Sequence, residues 1–351
     1  MTGGHGDLVA EKRGALGLLT LNRPHALNAL NDAMVDGLRA ALDEWRDDET
    51  VRHVMIRGTG PKAFCAGGDI RLMHDLGRAG KHDVALDFWA REYRLNSVIR
   101  HYPKPYIALI DGIVMGGGVG VSLHGSHRLA GPNYLFAMPE VGIGFFPDVG
   151  ASYALPRLPG AVGAWLAVTG ARIRRADAMH LGLATHAVRP DSADELLMHL
   201  MAGVPVEAAL ARVVDRDADA PILGKLEAIN RHFSHGTVGE ILASLEAAGP
   251  DDAFATETLA GMRAKSPMSM AIAIEQVKRG RSLDFNAAMV MEYRIVSRLV
   301  HDPDFYEGVR ALIIDKDNHP RWNPARIEEV DPAKVAAHFE PLARDLDLPG
   351  A

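Results

Sequence analysis

The chain has 351 residues, more than one average domain, with 48% hydrophobic and 24% charged residues, an ordinary composition for a soluble globular protein. A net charge of −7 argues against nucleic acid as the main partner, which requires a basic face. The single cysteine, Cys65, excludes an intrachain disulfide and a cysteine-rich metal site, and it suits a reducing, cytoplasmic setting.

In chain order, Leu8 to Lys12 and Leu16 to Leu21 read as a hairpin ending at Asn22-Arg23-Pro24. The opening MTGGHGDLVAEKRG has no long apolar run, so no secretory signal is expected. From Asn31 a helix is predicted, with Met34, Leu38, Leu42 and Trp45 on one stripe. His53 to Arg57 is a short buried strand closed by Gly58-Thr59-Gly60-Pro61, and a helix follows from about Asp83 to Arg100. Tyr106 to Ile110 is another strand, Val119 to Leu123 opens a helix, and Leu129-Ala130 and Tyr134 to Phe136 fit further strands. The most membrane-like stretch, Tyr106 to Leu123, is interrupted by Asp111 and five glycines, so no membrane partner is expected. Strands alternating with helices predict an α/β unit over residues 1–190. After about Val188 the periodicity becomes helical almost throughout, as in Asp194 to Met201, Ala253 to Lys265 and Asn286 to Val300, predicting a helical region over 191–351.

Three segments carry chemistry. In Ala63-Phe64-Cys65-Ala66-Gly67-Gly68-Asp69, adjacent glycines allow a tight turn and a close ligand approach, and the Gly68 N–H falls at the mouth of a helix predicted from Asp69. Met115-Gly116-Gly117-Gly118-Val119-Gly120 again joins a strand to a helix; it lacks the lysine of a nucleotide P-loop and the acidic partner of a dinucleotide fingerprint. From Phe136 to Gly150, two carboxylates, Glu140 and Asp148, stand in an apolar loop punctuated by glycine and proline. Burial there would raise their proton affinities toward neutral pH. Each segment alone also fits a structural turn: Glu140 as a turn cap, Asp148 as a helix cap, the glycines as packing.

Together these segments resemble the crotonase (enoyl-CoA hydratase/isomerase) superfamily, and within it the 3-hydroxyisobutyryl-CoA hydrolase branch. The likeness runs through LTLNRPHALNAL, AFCAGGDIR, MGGGVGVSLHGSHRLA, FAMPEVGIGFFPDVGASYALPRLPG, MEYRI and DFYEGVRALIIDKDNHPRWNPA, nearly the whole chain. It implies a spiral of ββα units, as in the ClpP/crotonase fold, followed by a helical C-terminal region. It implies an oxyanion hole from the N–H groups of Gly68 and Gly117, with Glu140 and Asp148 as the catalytic carboxylates. It further implies that Glu92 contacts the acyl group and that Ala66, Gly67, Arg23 and Leu27 lie along coenzyme A. Coenzyme A is then part of the substrate, and no prosthetic group or metal is expected. A trimer-type homo-oligomer and a place in valine breakdown are implied on the same footing.

One position departs from the hydratases. They carry a glutamate two residues after the triple glycine, where this chain has Gly120. Water addition to an alkene needs a second placed carboxylate, so hydrolysis of a short-chain β-hydroxyacyl-CoA is the expected reaction, with Glu140 as general base or as nucleophile. A lyase or isomerase and a catalytically silent acyl-CoA binder are the alternatives. Read from the residues alone, Glu92 is a solvated helix charge, Cys65 a small buried apolar residue, and His124 and His127 helix-end and turn residues. The runs Arg172 to Arg175 and Lys278 to Arg281 read as solvated faces or coenzyme A phosphate contacts.

Overall fold

The computed structural model describes residues 6–215 and 219–348. Its strands are β1 (Leu8–Arg13), β2 (Leu16–Leu21), β3 (His53–Gly58), β4 (Ala63–Cys65), β5 (Tyr106–Ile110), β6 (Ile113–Met115), β7 (His127–Ala130), β8 (Leu135–Ala137), β9 (Ile173–Arg174) and β10 (His186–Ala187). They form a six-stranded sheet, β1-β2-β3-β5-β7-β10, and a four-stranded sheet, β4-β6-β8-β9. Consecutive strands β3 and β4, β5 and β6, and β7 and β8 each give one member to each sheet, so the chain winds as a repeating spiral. Within it β4, β6 and β8 lie side by side in parallel, and whatever follows each of those strands emerges at the same end.

Every residue of β2 is buried, as expected for a strand covered on both faces. Leu19 and Leu21 enter the main core, while Leu16 and Leu18 face a second cluster with Leu196, Leu200 and Leu210, the two-residue alternation of a strand. Helix α1 (Asp32–Arg46) begins one residue after the predicted Asn31, whose side chain caps it by accepting the Met34 N–H, and Met34, Leu38, Leu42 and Trp45 are buried on one face. Helix α2 (Ile70–Arg78) likewise starts one residue later than expected, because the Asp69 side chain caps it by accepting the Leu72 N–H. Helix α3 (His82–Arg100) carries a long buried face. The helix expected from Val119 to Leu123 is instead a single turn, α4 (Gly117–Gly120); so glycine-rich a segment has too little helix propensity to extend it.

After β10 the described chain is helical, with the helices Pro267–Gly280 and Phe285–Leu299 packed against the first half. Both halves share one continuous hydrophobic cluster, running from Leu19 to Leu346. No described helix is long and apolar enough to cross a membrane.

Candidate active site

Parallel pairing of β4 with β6 sets the turns after them next to one another. The first turn is Ala66-Gly67-Gly68, with Gly67 at φ +131°; the second begins at Gly116, φ +46°. Both angles favour glycine. The approach is also too close for side chains: a Cβ on Gly116 would lie 3.1 Å from the Gly67 Cα, and one on Gly118 would lie 2.3 Å from the Cys65 carbonyl oxygen. On Gly117 it would come within 2.5 Å of a Glu92 carboxyl oxygen. Gly117 is the first residue of α4, so its N–H has no partner within the helix. Neither the Gly68 nor the Gly117 N–H donates to any group among the described residues, and both residues line one cavity.

Three carboxyl groups face the same cavity. Glu92 comes from α3, Glu140 opens the short 3-10 turn Glu140–Ile143 after β8, and Asp148 follows on the continuing loop. They are only 2%, 6% and 5% exposed, respectively. One oxygen each of Glu92 and Glu140 has no hydrogen-bond partner, while the Tyr93 hydroxyl donates to Asp148 at 2.8 Å. Burial pushes the proton affinity of Glu140 well up, and the neighbouring Asp148 charge adds to it. Glu92 is pushed the same way by burial, then by Asp148 and Glu292. Asp148 is raised by burial and held back by the Tyr93 hydrogen bond.

The backbone around Asp148 is fixed from three sides. Gln276 donates to the Pro147 carbonyl, and the His124 ring donates through Nε2–H to the Val149 carbonyl at 2.7 Å. The fully buried Glu292 carboxyl group accepts the Gly150 N–H at 2.8 Å and the Ser152 N–H at 2.9 Å. These contacts hold Val149 at φ +52°, uncommon for a β-branched residue. A side chain on Gly150 would strike His124 Nε2 at 2.3 Å.

The cavity has a volume of about 290 Å³, and its apolar wall includes Phe88, Trp89 and Phe145, with the Trp89 and Phe145 rings stacked at 5.6 Å. A π-helical turn, Arg310–Ile314, supplies Leu312 and Ile313 to the same wall. Of the residues singled out in the sequence, Ala66, Gly67, Gly68, Gly117, Glu92, Glu140 and Asp148 meet here, whereas Arg23 and Leu27 are not part of the lining. Leu27 stands at one remove, its carbonyl accepting the Ala66 N–H at 3.0 Å. The Arg23 guanidinium is engaged by Asp69 at 3.0 Å and the Ala29 carbonyl at 3.1 Å, bracing the 22–30 loop against the α2 cap.

Contrary to the reading from residues alone, Glu92 is not solvated; it lies on the buried face of α3 with Phe88, Leu95 and Ile99. Sequence reasoning missed Tyr93, Gln276, Glu292 and Lys265. Glu292 alone left a signal, a charge at helical spacing from the buried Ala288, Ile295 and Leu299. Cys65 is fully buried and its thiol is pushed up to about 12 by burial. His127 contacts Ser126 and Glu207, away from His124, and no group of three or more metal-ligating side chains is found among the described residues. Lys278 and Arg279 pair with Glu275. A larger cavity of about 590 Å³ beside Asp302, Asp304 and His338 contains none of these turns.

Gly120 does more than lack a carboxylate. A Cβ there would lie 2.7 Å from the Asn96 amide nitrogen and 2.9 Å from the Val149 Cβ. The space a hydratase glutamate would enter is filled.

Comparison with known proteins finds relatives over nearly the whole chain. A model of the enoyl-CoA hydratase/isomerase family matches residues 16–339. A curated relative from Xenopus tropicalis, named "3-hydroxyisobutyryl-CoA hydrolase, mitochondrial", is 43% identical over 98% of this chain and 91% of its own length. Among solved structures, a carnitinyl-CoA dehydratase from Mycobacterium thermoresistibile superposes with a TM-score of 0.94 at 38% identity, covering 99% of this chain and all of that one. An enoyl-CoA hydratase from Rhodobacter sphaeroides 2.4.1 gives 0.92 at 41%, covering 98% of this chain and all of that one. The chain belongs to the enoyl-CoA hydratase/isomerase family.

Proposed function

We propose that this protein is an acyl-CoA thioester hydrolase acting on a short-chain β-hydroxyacyl-CoA, with 3-hydroxyisobutyryl-CoA as the leading substrate and 3-hydroxyisobutyrate and free coenzyme A as products. The observation that carries the reading is the pairing of Glu140 and Asp148 with two free N–H donors in one cavity, while Asn96 and Val149 fill the space at Gly120. The curated relative named for this reaction aligns over nearly the whole chain.

The thioester oxygen binds between the Gly68 and Gly117 N–H groups. These donors stabilise the negative charge that develops as the carbonyl carbon becomes tetrahedral; one such donor typically contributes about 3–4 kcal/mol. Glu140 either takes a proton from water as it attacks or attacks the carbonyl itself to give an anhydride that water then opens. In both routes a carbon–oxygen bond forms, the carbon–sulfur bond breaks, and the departing thiolate takes up a proton. Asp148 orients the substrate hydroxyl or the water and relays that proton. Glu92, beside Gly117, faces the acyl group.

Two similar solved structures carry hydratase or dehydratase names, so water addition is the second reading; the filled space at Gly120 weighs against it. Thiol release from 3-hydroxyisobutyryl-CoA, run beside hydration of crotonyl-CoA, tests both. Thiol release without loss of enoyl absorbance supports hydrolysis, the converse supports a hydratase, and silence in both indicates a binding protein. Glu140→Gln is expected to lower turnover by orders of magnitude while coenzyme A still binds; near-normal turnover would refute the role given to Glu140.

A place in valine breakdown follows from the substrate proposed. A trimer-type assembly rests on the family resemblance, and a monomer in sedimentation would overturn it. A cytoplasmic location is proposed on the single buried thiol, and fractionation of native cells checks it.

A further inference from the structure

Three carboxyl groups line the cavity, yet among the described lining residues Lys265 is the sole lysine or arginine. Its ammonium stands against Gly142, where an added Cβ would lie 3.1 Å from Nζ. Burial lowers its proton affinity, and among the described residues it forms no ion pair within 4.0 Å. A surface lysine normally keeps its charge in water and swings freely. Here the backbone is fixed on both sides of the residue. The Ala264 carbonyl accepts the Trp322 indole N–H at 3.1 Å, and the Ser266 N–H donates to the Val141 carbonyl at 3.1 Å. The Ser266 hydroxyl donates to the buried Asp304 at 2.6 Å, and Asp304 also accepts the Asn323 N–H at 2.7 Å. Two C-terminal segments and the Glu140 turn thus converge to place one partly desolvated cation at the cavity wall.

An ammonium held this way gains most from an oxygen acceptor that arrives with the ligand. The carboxylates take the acyl end, so the acceptor belongs to the other end of the molecule. We propose that Lys265 grips the coenzyme A portion of the thioester through an oxygen acceptor, a pantetheine amide or a phosphate, and so draws the acyl group toward Gly68 and Gly117. The inference rests on the acyl-CoA reading above. It adds a polar binding residue from the helical C-terminal region, which otherwise gives the cavity only the apolar Leu312 and Ile313.

The test compares wild type with Lys265→Met, Lys265→Gln and Lys265→Arg, each first shown to keep its thermal midpoint. Calorimetric titration with coenzyme A reads the contact without turnover, so it remains decisive even if the hydrolase reading fails. Lys265→Met and Lys265→Gln are expected to weaken coenzyme A binding, and to raise KM for the CoA thioester, by about ten- to hundredfold, the size of one charge-assisted hydrogen bond. Their kcat stays within about twofold, since the contact is the same in ground and transition states; Lys265→Arg restores most of the affinity. The N-acetylcysteamine thioester of the same acid keeps one pantetheine amide and has no phosphate. A raised KM for it too assigns the amide as acceptor, and an unchanged one assigns phosphate. Unchanged coenzyme A affinity in Lys265→Met and Lys265→Gln, or a fall in kcat alone, overturns the proposal.

Discussion

Replacing Glu292 with glutamine sets two effects of opposite sign against each other. In the native chain both carboxyl oxygens accept main-chain N–H groups, from Gly150 and Ser152. Glutamine offers one oxygen and one NH₂, so one of those donors would face another donor. Losing that bond and stranding a buried N–H costs about 1–3 kcal/mol. The charge acts the other way. Burial, then the Asp148 charge, lifts the Glu292 carboxyl from 4.5 to about 8, so folding favours its protonated form. Such a group stabilises the fold fully below its unfolded value, and the contribution is lost as pH rises through the folded value. At about 1.4 kcal/mol for each tenfold change in proton affinity, the swing is on the order of 5 kcal/mol. Glutamine has no proton to lose. The stability gap between wild type and Glu292→Gln should therefore be widest below the unfolded value of 4.5 and shrink or invert by about pH 9. Urea unfolding followed by tryptophan fluorescence at several pH values measures that gap from the shift in midpoint. A gap that widens with rising pH would refute the reasoning, because it would mean the loop is held by an ionised Glu292. Turnover reports on the same clamp: with Gly150 and Ser152 loosened, Asp148 loses its placement and kcat falls.

Three further outcomes follow from the site. Gly117→Ala forces a Cβ to within 2.5 Å of Glu92 and 3.1 Å of Leu30, displacing an oxyanion donor; kcat in steady-state assays is expected to drop about a hundred- to thousandfold. Gly120→Glu is expected to lower stability by about 1–3 kcal/mol through overpacking against Asn96 and Val149, without hydration of crotonyl-CoA. A stable, hydrating variant would show that the space is open. Because burial and Asp148 raise the Glu140 carboxyl, the acid limb of kcat/KM should lie well above the usual carboxylate range. Removing the Asp148 charge in Asp148→Asn should move the limb of the residual activity to lower pH; a limb that stays put would uncouple the two groups.

What was legible in the sequence is what the backbone demands directly. Positive φ at Gly67 and Gly116, and the clash that a Cβ on Gly118 would make with Cys65, leave glycine as the residue that fits, so the two turns announced themselves. The stripe on α1 was equally plain, because its partners recur at helical spacing. Glu92 was not legible from its neighbours: Arg91 and Arg94 beside it are the marks of a solvated face. Arg91 does meet Asp32, Asp36 and Asp87 at the surface while Glu92 turns inward. The Asp148 clamp was hidden for a different reason. His124, Gln276 and Glu292 are separated by up to 168 positions and converge only when the helices Pro267–Gly280 and Phe285–Leu299 pack onto the first half. Lys265 stands at the end of the helical stretch read from Ala253, where a lysine is an ordinary last-turn charge.

The density of acid in the cavity sets the acid–base chemistry available to it. Glu92, Glu140 and Asp148 share a space of about 290 Å³, with Glu292 buried behind them. Like charges in a dry site raise one another's proton affinity, so near neutral pH the cluster carries fewer charges than carboxyl groups. Identical functional groups therefore supply an ionised member and a protonated one at the same time. Hydrolysis needs that division: a base or nucleophile at the carbonyl carbon and a proton for the departing sulfur. Hydration needs the same division, but with the two carboxyl groups aimed at adjacent alkene carbons, and the second of those positions is here blocked by the Asn96 amide. The shared proton affinities thus equip the cavity for either reaction, and the packing of Asn96 and Val149 against Gly120 is what favours hydrolysis.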